Sequence, residues 1–398
     1  MWFIFVGIGL ALVTVCGLYA RRRLTQALTH FGVRSRRTRI VRWLVVWLLF
    51  GYPLLVIVAV VLSRLLGQAT IPRLDGVLAS FTLGIPFILT VLVVLQSIPW
   101  LLALDLAYLV VRRRPGVERL RAIGIVVVFG AFALYTPTRI LVERGDVRMR
   151  HFDVGPGATP AAPLRIAFLA DIQQDAFTDS DRARELFAAV NATKPDLVLS
   201  GGDWINTGPD EITASAAAAG TLRSKLGTFS VRGDHEHFAY VDRNRSVREI
   251  EAAMKAHGVE MLANEVRWFD HDGKRIAVVF LNYNYIVRTD ATVIASLLAV
   301  ASTADYSIVV THQLDRQLAA MLEDKVDLVL AGHTHGGQVN PVIGIVHVPL
   351  ARLETRFIDG RYKLGHRTDV IVTAGIGYSI VPIRYAAPGS IETIDLRL

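Results

Sequence analysis

Residues 327–338 read DLVLAGHTHGGQ and decide the fold of this chain. The first five form a short apolar run, which predicts a buried strand. Glycines on both sides of the two histidines allow a sharp backbone turn. His333 and His335 can therefore be presented together at the carboxyl end of the strand, where α/β sheets usually carry chemistry. Two imidazoles one residue apart can face two different metal ions, so the stretch predicts an α/β fold with metal ligands at a strand end.

Four other segments repeat this arrangement, in which an apolar run is followed at once by metal-capable residues. The runs occupy residues 164–170, 196–200, 228–232 and 307–311. The residues that follow them are Asp171 and Gln173, then Asp203, then Asp234 with His235 and Glu236, and then His312. Each run predicts a strand that carries ligands at its end. Between them, helical patterns occupy roughly residues 180–191, 211–225, 247–257 and 313–323.

Taken in this order, the five segments resemble the calcineurin-like metallophosphoesterase superfamily. The pattern of that superfamily is D-x-H, G-D, G-N-H-[DE], a lone H and G-H-x-H, and the resemblance covers roughly residues 160–398. It implies a four-layer α/β/β/α sandwich with metals at one edge. The extended motif GHTHGGQ, together with residues 375–379 and 382–384, is similar to a branch that contains membrane-associated bacterial phosphodiesterases and some UDP-diacylglucosamine hydrolases.

The resemblance implies two divalent metal ions. The first ion would be held by Asp171, Gln173, Asp203 and His335, and the second by Asp203, Asp234, His312 and His333, so that Asp203 bridges the pair. Carboxylates and imidazoles suit Mn, Fe or Zn, and a shared carboxylate holds two cations about 3.5–4 Å apart. At that separation a bridging water is acidified, which makes a metal-bridged hydroxide the expected nucleophile.

Two of these ligands depart from the pattern of the superfamily. Gln173 stands where a histidine is usual, and Asp234 stands where an asparagine is usual. Glutamine offers a neutral amide oxygen, so the first ion should bind more weakly or be a harder cation, whereas the extra charge of Asp234 should tighten the second site. We expect a shift in preference toward Mn²⁺, Mg²⁺ or Ca²⁺. The alternative is a degenerate centre that binds one metal or none.

His235 is the candidate catalytic residue. The superfamily uses the histidine of G-N-H near the leaving-group oxygen, where a proton donor active near neutral pH is useful. Glu236 beside it is expected either to raise its pKa or to orient it. Arg384 offers a planar fork for phosphate, or else a packing role. The loop residues Asn206 and Gln338 are expected either to touch substrate or to satisfy their own turns.

The residues before position 150 predict a membrane domain. Hydrophobic residues make up 52% of the chain, and the mean hydropathy is +0.41, which is too apolar for an ordinary soluble enzyme. Four spans are predicted at residues 2–20, 43–63, 77–111 and 122–137. The run 77–111 could alternatively hold two spans, or one span with an interfacial piece. The last segment could be lengthened through residues 140–142.

Arginine distribution predicts the orientation. Eight arginines lie between residues 21 and 42 and five between 112 and 121, whereas the intervening loop has only two. The positive-inside rule then places the first and third loops in the cytoplasm, and the amino terminus and the catalytic domain outside. The net charge of +8 is largely juxtamembrane, so anionic lipid headgroups are the expected partners and nucleic acid is not. The single cysteine, Cys16, excludes an intrachain disulfide.

The sequence therefore predicts a membrane domain at residues 1–150, a Pro- and Gly-rich linker at 151–163 and a metallophosphoesterase domain at 164–398. The expected protein is an integral membrane phosphoesterase of an inner or plasma membrane, acting on a phosphodiester or pyrophosphate in a lipid or envelope precursor. The alternative is a catalytically reduced receptor or regulator that binds a phosphorylated ligand.

Overall fold

The computed structural model describes residues 2–68, 76–157, 162–379 and 381–398. They form two compact units. The first contains Met1–Arg64, Leu74–Arg144 and Asn340–Val348, and the second contains Leu65–Arg73, Gly145–Val339 and Pro349–Leu398.

The first unit is built from long apolar helices. They are α1 (Trp2–His30), α2 (Ser35–Leu65), the single turn α3 (Val77–Ala79), which continues through a π-helical segment (Ser80–Gly84) into α4 (Ile85–Val111), and α5 (Val117–Glu143). Within the described residues, three stretches are long and apolar enough to cross a membrane: Ser35–Leu65, Val77–Val111 and Val117–Glu143. The run 77–111 is thus continuous in helical structure and long enough for one span, and α5 extends past residue 142 to Glu143.

The predicted span at residues 2–20 lies within α1. The side chains of residues 2–6 and 8 are outside the described part of the chain, so this fourth span stays a prediction.

An ion-pair cluster ties α1, α4 and α5 together. Oδ1 of Asp105 accepts hydrogen bonds from Nε of Arg121 at 3.0 Å and from its NH2 nitrogen at 2.5 Å. Oδ2 of Asp105 accepts from the Tyr19 hydroxyl at 2.6 Å and pairs with Arg23. A charged side chain in a span is costly unless it is paired, and here Asp105 has partners from two other helices. This acidic residue therefore serves the packing of the helices.

The second unit contains two six-stranded sheets. The first sheet consists of β1 (Val147–Val154), β2 (Leu164–Leu169), β3 (Leu197–Ser200), β4 (Thr228–Ser230), β5 (Val259–Met261) and β14 (Gly389–Leu396). The second consists of β6 (Glu265–His271), β7 (Lys274–Leu281), β8 (Tyr306–Thr311), β9 (Leu328–Ala331), β12 (Gly360–Leu364) and β13 (Thr368–Val372). Their strand orders are β1-β14-β2-β3-β4-β5 and β12-β13-β9-β8-β7-β6.

Helices cover the outer faces of both sheets. On the first sheet lie α6 (Ser180–Ala192), α7 (Ile212–Ala219) and α8 (Arg243–Ala256), and on the second lie α9 (Ala291–Ala301) and α10 (Arg316–Leu322). The inner faces share one apolar core, in which Ile166 and Phe168 of β2 belong to the same cluster as Val278 and Phe280 of β7. This arrangement is the four-layer α/β/β/α sandwich that the sequence predicted.

The strand β1 differs from the predicted linker. Residues 151–154 were assigned to the linker, but they belong to β1, which pairs in parallel with β14 from Val147 opposite Gly389 to Val154 opposite Leu396. Its alternating burial explains why the segment was missed: most of its side chains are at least partly exposed, so the run lacks the apolar character of the other strands. The second unit therefore starts before residue 151.

A short hairpin belongs to the helical unit. It consists of β10 (Val342–Ile343) and β11 (Val346–His347), which pair antiparallel. The backbone N–H of Val342 donates to Oε1 of Gln96 at 3.3 Å, and Nε2 of Gln96 donates to the Thr136 hydroxyl at 3.1 Å. A buried polar side chain of α4 is thus satisfied by α5 and by this hairpin.

Candidate metal centre

The structure brings ligands from both sheets to one place. Asp171, Asp203 and Asp234 follow β2, β3 and β4 of the first sheet, and His312 and His333 follow β8 and β9 of the second. The strands within each of these two sets are parallel neighbours, so their carboxyl ends lie side by side. Possible ligand atoms of Asp171, Asp203 and His312 all lie within 4.8 Å of one another, as do those of Asp234, His312 and His333.

The residues predicted for the second ion form a tight group. Oδ2 of Asp234 lies 3.0 Å from Nδ1 of His333 and 3.3 Å from Nε2 of His312. Nε2 of His312 also lies 3.5 Å from Oδ2 of Asp203. The ring of His312 is completely buried, and its Nδ1 lies 2.8 Å from the carbonyl oxygen of Gly201. When Nδ1 donates to that carbonyl, the lone pair of Nε2 faces the carboxylates, which is the orientation a metal ligand needs.

The residues predicted for the first ion also meet, around the amide of Gln173. Nε2 of Gln173 lies 3.2 Å from Oδ2 of Asp203 and 3.1 Å from Nε2 of His335. Nε2 of His335 is 3.9 Å from Oδ1 of Asp171. Oε1 of Gln173 is buried and has no hydrogen-bond partner among the described residues. A half-turn of this amide would place the oxygen beside Asp203 and His335, where all three side chains could bind the first metal ion.

Backbone strain is concentrated at these residues. Asp171, Gln173, Asp203, His333 and His335 have φ angles of 52°, 45°, 59°, 73° and 50°. The left-handed region costs a residue with a side chain on the order of 1–3 kcal/mol. Such strain is stored where the surrounding structure holds a site in a fixed geometry, and here it aims five side chains into one space.

Two glycines of the motifs are required by close approach to the carboxylates. A Cβ atom on Gly233 would lie 2.1 Å from Oδ1 of Asp203. A Cβ atom on Gly332 would lie 2.9 Å from Oδ2 of Asp171 and 2.7 Å from Cβ of Ala170. Any side chain at these positions would displace a predicted ligand.

The protonation of the centre follows from its charges. Burial raises the pKa of Asp171 to about 6, and neighbouring Asp203 adds to the rise. Burial alone would also raise the pKa of Asp234, but hydrogen bonds from His312 and His333 hold it well below the usual range. Conversely, although burial opposes it, Asp203 and Asp234 raise the pKa of His312 to about 10. Without a metal, His312 therefore carries a proton that balances the neighbouring carboxylates, and a divalent cation would replace that proton.

His335 differs from the other two rings. Burial and the positive charge of Arg384 hold the pKa of His335 well below the usual range, so its imidazole is neutral. A neutral imidazole is the ligand form of histidine.

His235 lies at the mouth of the centre. Its backbone N–H donates to Oδ1 of Asp203 at 2.8 Å, and its Nδ1 lies 2.5 Å from the carbonyl oxygen of Asn206. Nε2 of His235 is 3.9 Å from Oδ2 of Asp203. An Nδ1–H that donates to a carbonyl leaves Nε2 directed at the carboxylates, where it can deliver or receive a proton.

Glu236 does not orient the ring of His235, in contrast to the expectation. Its buried carboxylate accepts three backbone N–H groups, from Asp203 at 2.9 Å, Trp204 at 2.7 Å and Gly233 at 2.6 Å. Burial raises the pKa of Glu236 to about 7, and the neighbouring charge of Asp203 contributes to the rise. Glu236 therefore clamps the two loops that carry Asp203 and Asp234.

Arg384 has a packing role. Its guanidinium is buried and donates to five carbonyl oxygens, those of His335, Ala374, Gly375, Gly377 and Ala387, at 2.8–3.2 Å. Burial lowers the pKa of Arg384 to about 10. The two terminal nitrogens thus hold the loop of His335 against residues 374–377, while the buried Nε has no hydrogen-bond partner among the described residues.

The polar side chains of Asn206 and Gln338 link separate loops. The amide of Asn206 donates to Oδ2 of Asp175 at 2.8 Å, and that of Gln338 donates to the carbonyl oxygens of Ser379 and Val381 at 2.8 and 2.9 Å. These partners lie 31 to 43 positions away in the chain, so neither side chain satisfies its own turn.

Sequence reasoning missed three residues around His333. Glu354, Gln313 and Tyr285 form a hydrogen-bonded group in which Glu354 accepts from the other two side chains and lies 3.3 Å from Nε2 of His333. The ring of Tyr285 packs edge-on against His333 with centroids 4.7 Å apart. The adjacency of Gln313 to His312 was a signal in the sequence. Glu354 lies in an exposed apolar stretch with no recognisable pattern.

The donor sets fit divalent cations. Two carboxylates and two imidazoles at the second site suit Mn, Fe or Zn. The first site has two carboxylates, one amide and one imidazole, which favours harder ions such as Mn²⁺, Mg²⁺ or Ca²⁺. After a half-turn of the Gln173 amide, a cation there would also give its unpartnered Oε1 a partner.

Comparison with known proteins agrees with this geometry. Residues 164–337 match the family model of calcineurin-like phosphoesterases. An uncharacterised metallophosphoesterase of Campylobacter jejuni is 29% identical over 238 residues, which cover 59% of this chain and 59% of that protein. The phosphodiesterase YaeI of Escherichia coli is 27% identical over 242 residues, covering 59% of this chain and 83% of that protein.

A zebrafish (Danio rerio) protein is described as a transmembrane protein with a metallophosphoesterase domain. It is 24% identical over 242 residues, covering 59% of this chain and 53% of that protein. The chain thus spans about three fifths of the length of the first curated relatives it matches.

Proposed function

We propose that this chain, whose residues 164–337 match the family model of calcineurin-like phosphoesterases, is a membrane-anchored, metal-dependent phosphoesterase that hydrolyses a phosphodiester or pyrophosphate bond. The observation that carries the proposal is the meeting of Asp203, Asp234, His312 and His333 at the ends of strands from two sheets. Holding several of the proposed ligands on strained backbone costs free energy of folding. Acidic and imidazole side chains in this number suit phosphoryl transfer at a metal centre.

The proposed centre holds two divalent ions. Asp171, Gln173, Asp203 and His335 would hold the first, and Asp203, Asp234, His312 and His333 the second. When bound, such ions acidify water and neutralise charge on phosphoryl oxygens.

The residues of the chain complete the chemistry. Nδ1 of His235 donates to the carbonyl oxygen of Asn206, so in the doubly protonated ring Nε2 would supply the proton that the departing oxygen takes up. Glu236 holds the loops of Asp203 and Gly233 in place during the reaction. Preorganised groups of this kind act without a reorganisation cost at the moment of bond breaking.

The proposed substrate class follows from the apolar helices that could span a membrane. Three long apolar helices support residence in a membrane, and the first apolar segment would add a fourth span. The arginine distribution favours a catalytic domain outside the cytoplasm of a bacterial inner or plasma membrane. A site attached to a bilayer has ready access to lipid-linked phosphoesters, so we propose a lipid or envelope precursor as the substrate class.

A second candidate function is a ligand-binding regulator with reduced catalysis. It is favoured by one observation, the amide nitrogen of Gln173 lying within 3.2 Å of both Asp203 and His335, where a cation would be expected to bind. In that case the domain would bind a phosphorylated ligand without turning it over.

The test is hydrolysis by the full-length chain in detergent. After removal of metal, bis-para-nitrophenyl phosphate is offered with Mn²⁺, Zn²⁺, Mg²⁺ or Ca²⁺, beside His333→Ala and the control His366→Ala, whose side chain is exposed. We expect metal-dependent turnover that is lost only in His333→Ala. If no metal supports turnover on this substrate or on lipid pyrophosphates while a phosphorylated ligand still binds, the regulator is favoured.

A further inference from the structure

Glu354 lies on the far side of His333 from the proposed metal. It follows a one-turn 3-10 helix (Leu350–Leu353), and its Oε1 is 3.3 Å from Nε2 of His333. The other ring nitrogen, Nδ1, faces Oδ2 of Asp234 at 3.0 Å and Nε2 of His312 at 3.2 Å. The imidazole of His333 is therefore held between two carboxylates that approach opposite nitrogens.

This placement determines which nitrogen of His333 keeps a proton. A carboxylate is only an acceptor, so the contact with Glu354 requires a proton on Nε2. Nδ1 can likewise donate to Asp234 in the absence of metal. A metal ion at the second site would replace that proton, so that Nε2 keeps its proton toward Glu354 and the lone pair of Nδ1 serves as the ligand. Ligating histidines commonly donate their second N–H to a carboxylate, which fixes the ring and makes it a better donor.

Glu354 is itself held firmly. Its Oε1 accepts from Nε2 of Gln313 and its Oε2 from the hydroxyl of Tyr285. Gln313 follows His312 in the chain. The backbone N–H of Tyr285 donates to Oδ1 of Asp234 at 2.7 Å. The carboxylate is thus linked to three residues of the second site: directly to His333, and through its two donors to His312 and Asp234.

We propose that Glu354 is a positioning residue that sets the tautomer and orientation of His333 and thereby strengthens metal binding at the second site. The inference rests on the proposed function, because it assumes that His333 is a metal ligand. Loss of such an outer carboxylate weakens metal affinity by about 10–100-fold in comparable sites.

The test is metal binding by the full-length chain in detergent, measured as Mn²⁺ affinity in competition with a chelator and as metal content at saturation. The variants are Glu354→Ala and Glu354→Gln, of which the second keeps the size of the side chain and removes its charge. Tyr285→Phe removes one donor to Glu354 but keeps the ring and the backbone N–H. The matched control is Glu323→Gln, at an exposed position.

We expect Mn²⁺ affinity to fall about 10–100-fold in both Glu354 variants, with a smaller fall in Tyr285→Phe, no change in the control and unchanged metal content at saturation. Co²⁺-loaded Glu354→Ala should also show a shifted visible absorption band, because the ring orientation sets the ligand geometry. Unchanged affinity in both Glu354 variants, beside a metal-binding parent chain, would overturn this inference alone. A parent chain that binds no metal would overturn the proposed function together with it.

Discussion

Nδ1 of His333 lies 3.0 Å from Oδ2 of Asp234, a residue that stands where the superfamily usually has asparagine. Asp234 therefore adds a full negative charge at the second site, and it also accepts the backbone N–H of Tyr285 at 2.7 Å through its other oxygen. Both oxygens are engaged, which gives the side chain one defined direction toward His312 and His333.

Asp234→Asn should weaken cation binding at the second site and raise turnover at saturating metal. One charge removed at close range is worth on the order of 1.4 kcal/mol or more, which corresponds to about a tenfold loss of affinity. The remaining ion would then be a stronger Lewis acid. Metal titration and kcat at saturating Mn²⁺ measure the two effects, and tighter binding in Asp234→Asn would contradict the charge argument.

Gln173→His should convert the first site from a weak to a strong one. The change replaces a neutral amide by an imidazole between Asp203 and His335, and imidazole favours Zn²⁺ over Mg²⁺. We expect metal content at micromolar Zn²⁺ to rise toward two ions per chain. If neither the stoichiometry nor the metal preference changes, Gln173 is not a ligand position.

His235→Gln should slow hydrolysis without loosening the metal. A general acid contributes about 10²–10⁴-fold, and the loss should be largest for alkyl esters, whose leaving groups need a proton. For para-nitrophenyl esters the loss should be much smaller, because that leaving group departs as an anion. An equal loss for both leaving groups would point to a role in binding.

Arg384→Met should destabilise the fold while leaving KM unaffected in the folded fraction. The change leaves five buried carbonyl oxygens without their donor, and loss of a buried hydrogen-bond network costs about 3 kcal/mol or more. Since about 1 kcal/mol corresponds to 2–4 °C in a domain of this size, the melting temperature should fall by on the order of 10 °C. A raised KM with an unchanged melting temperature would instead place Arg384 at the substrate.

Asp327→Asn should cost stability at neutral pH but not in acid. Asp327 accepts from the backbone N–H and hydroxyl of Ser307, both at 2.8 Å, and from Arg367 at 2.7 Å. Against the opposing effect of burial, these bonds hold its pKa below the usual value. A lowered folded-state pKa stabilises above the unfolded value of about 3.9, and the effect is lost as pH falls through the folded-state pKa.

Charged hydrogen bonds of this type contribute about 1.5–3 kcal/mol, so at pH 7 the melting temperature of Asp327→Asn should be several degrees lower than that of the parent chain. The two melting temperatures should converge as the pH falls through the folded-state pKa of Asp327. A difference that stays constant with pH would show that the ionised carboxylate is not the cause.

The strands with their ligands were predictable from the sequence because both signals are local. β2, β3, β8 and β9 are fully or almost fully buried strands, which appear in the sequence as continuous apolar runs. The ligand types follow each run directly. β1 was missed because Arg148, Arg150 and His151 break the apolar pattern of the segment, and its pairing with β14 makes it a strand.

The sequence by itself determined which side chains could meet a metal, since composition and spacing select carboxylates and imidazoles at strand ends. Only the tertiary structure decided how they are held. Glu354 contacts His333, which lies 21 positions earlier in the sequence, and Arg384 donates to the carbonyl oxygen of His335. No local sequence pattern marks either contact. The physical reason is that a hydrogen bond between distant residues depends on where two atoms lie after the sheets have packed. An apolar run, in contrast, is visible in consecutive residues of the sequence.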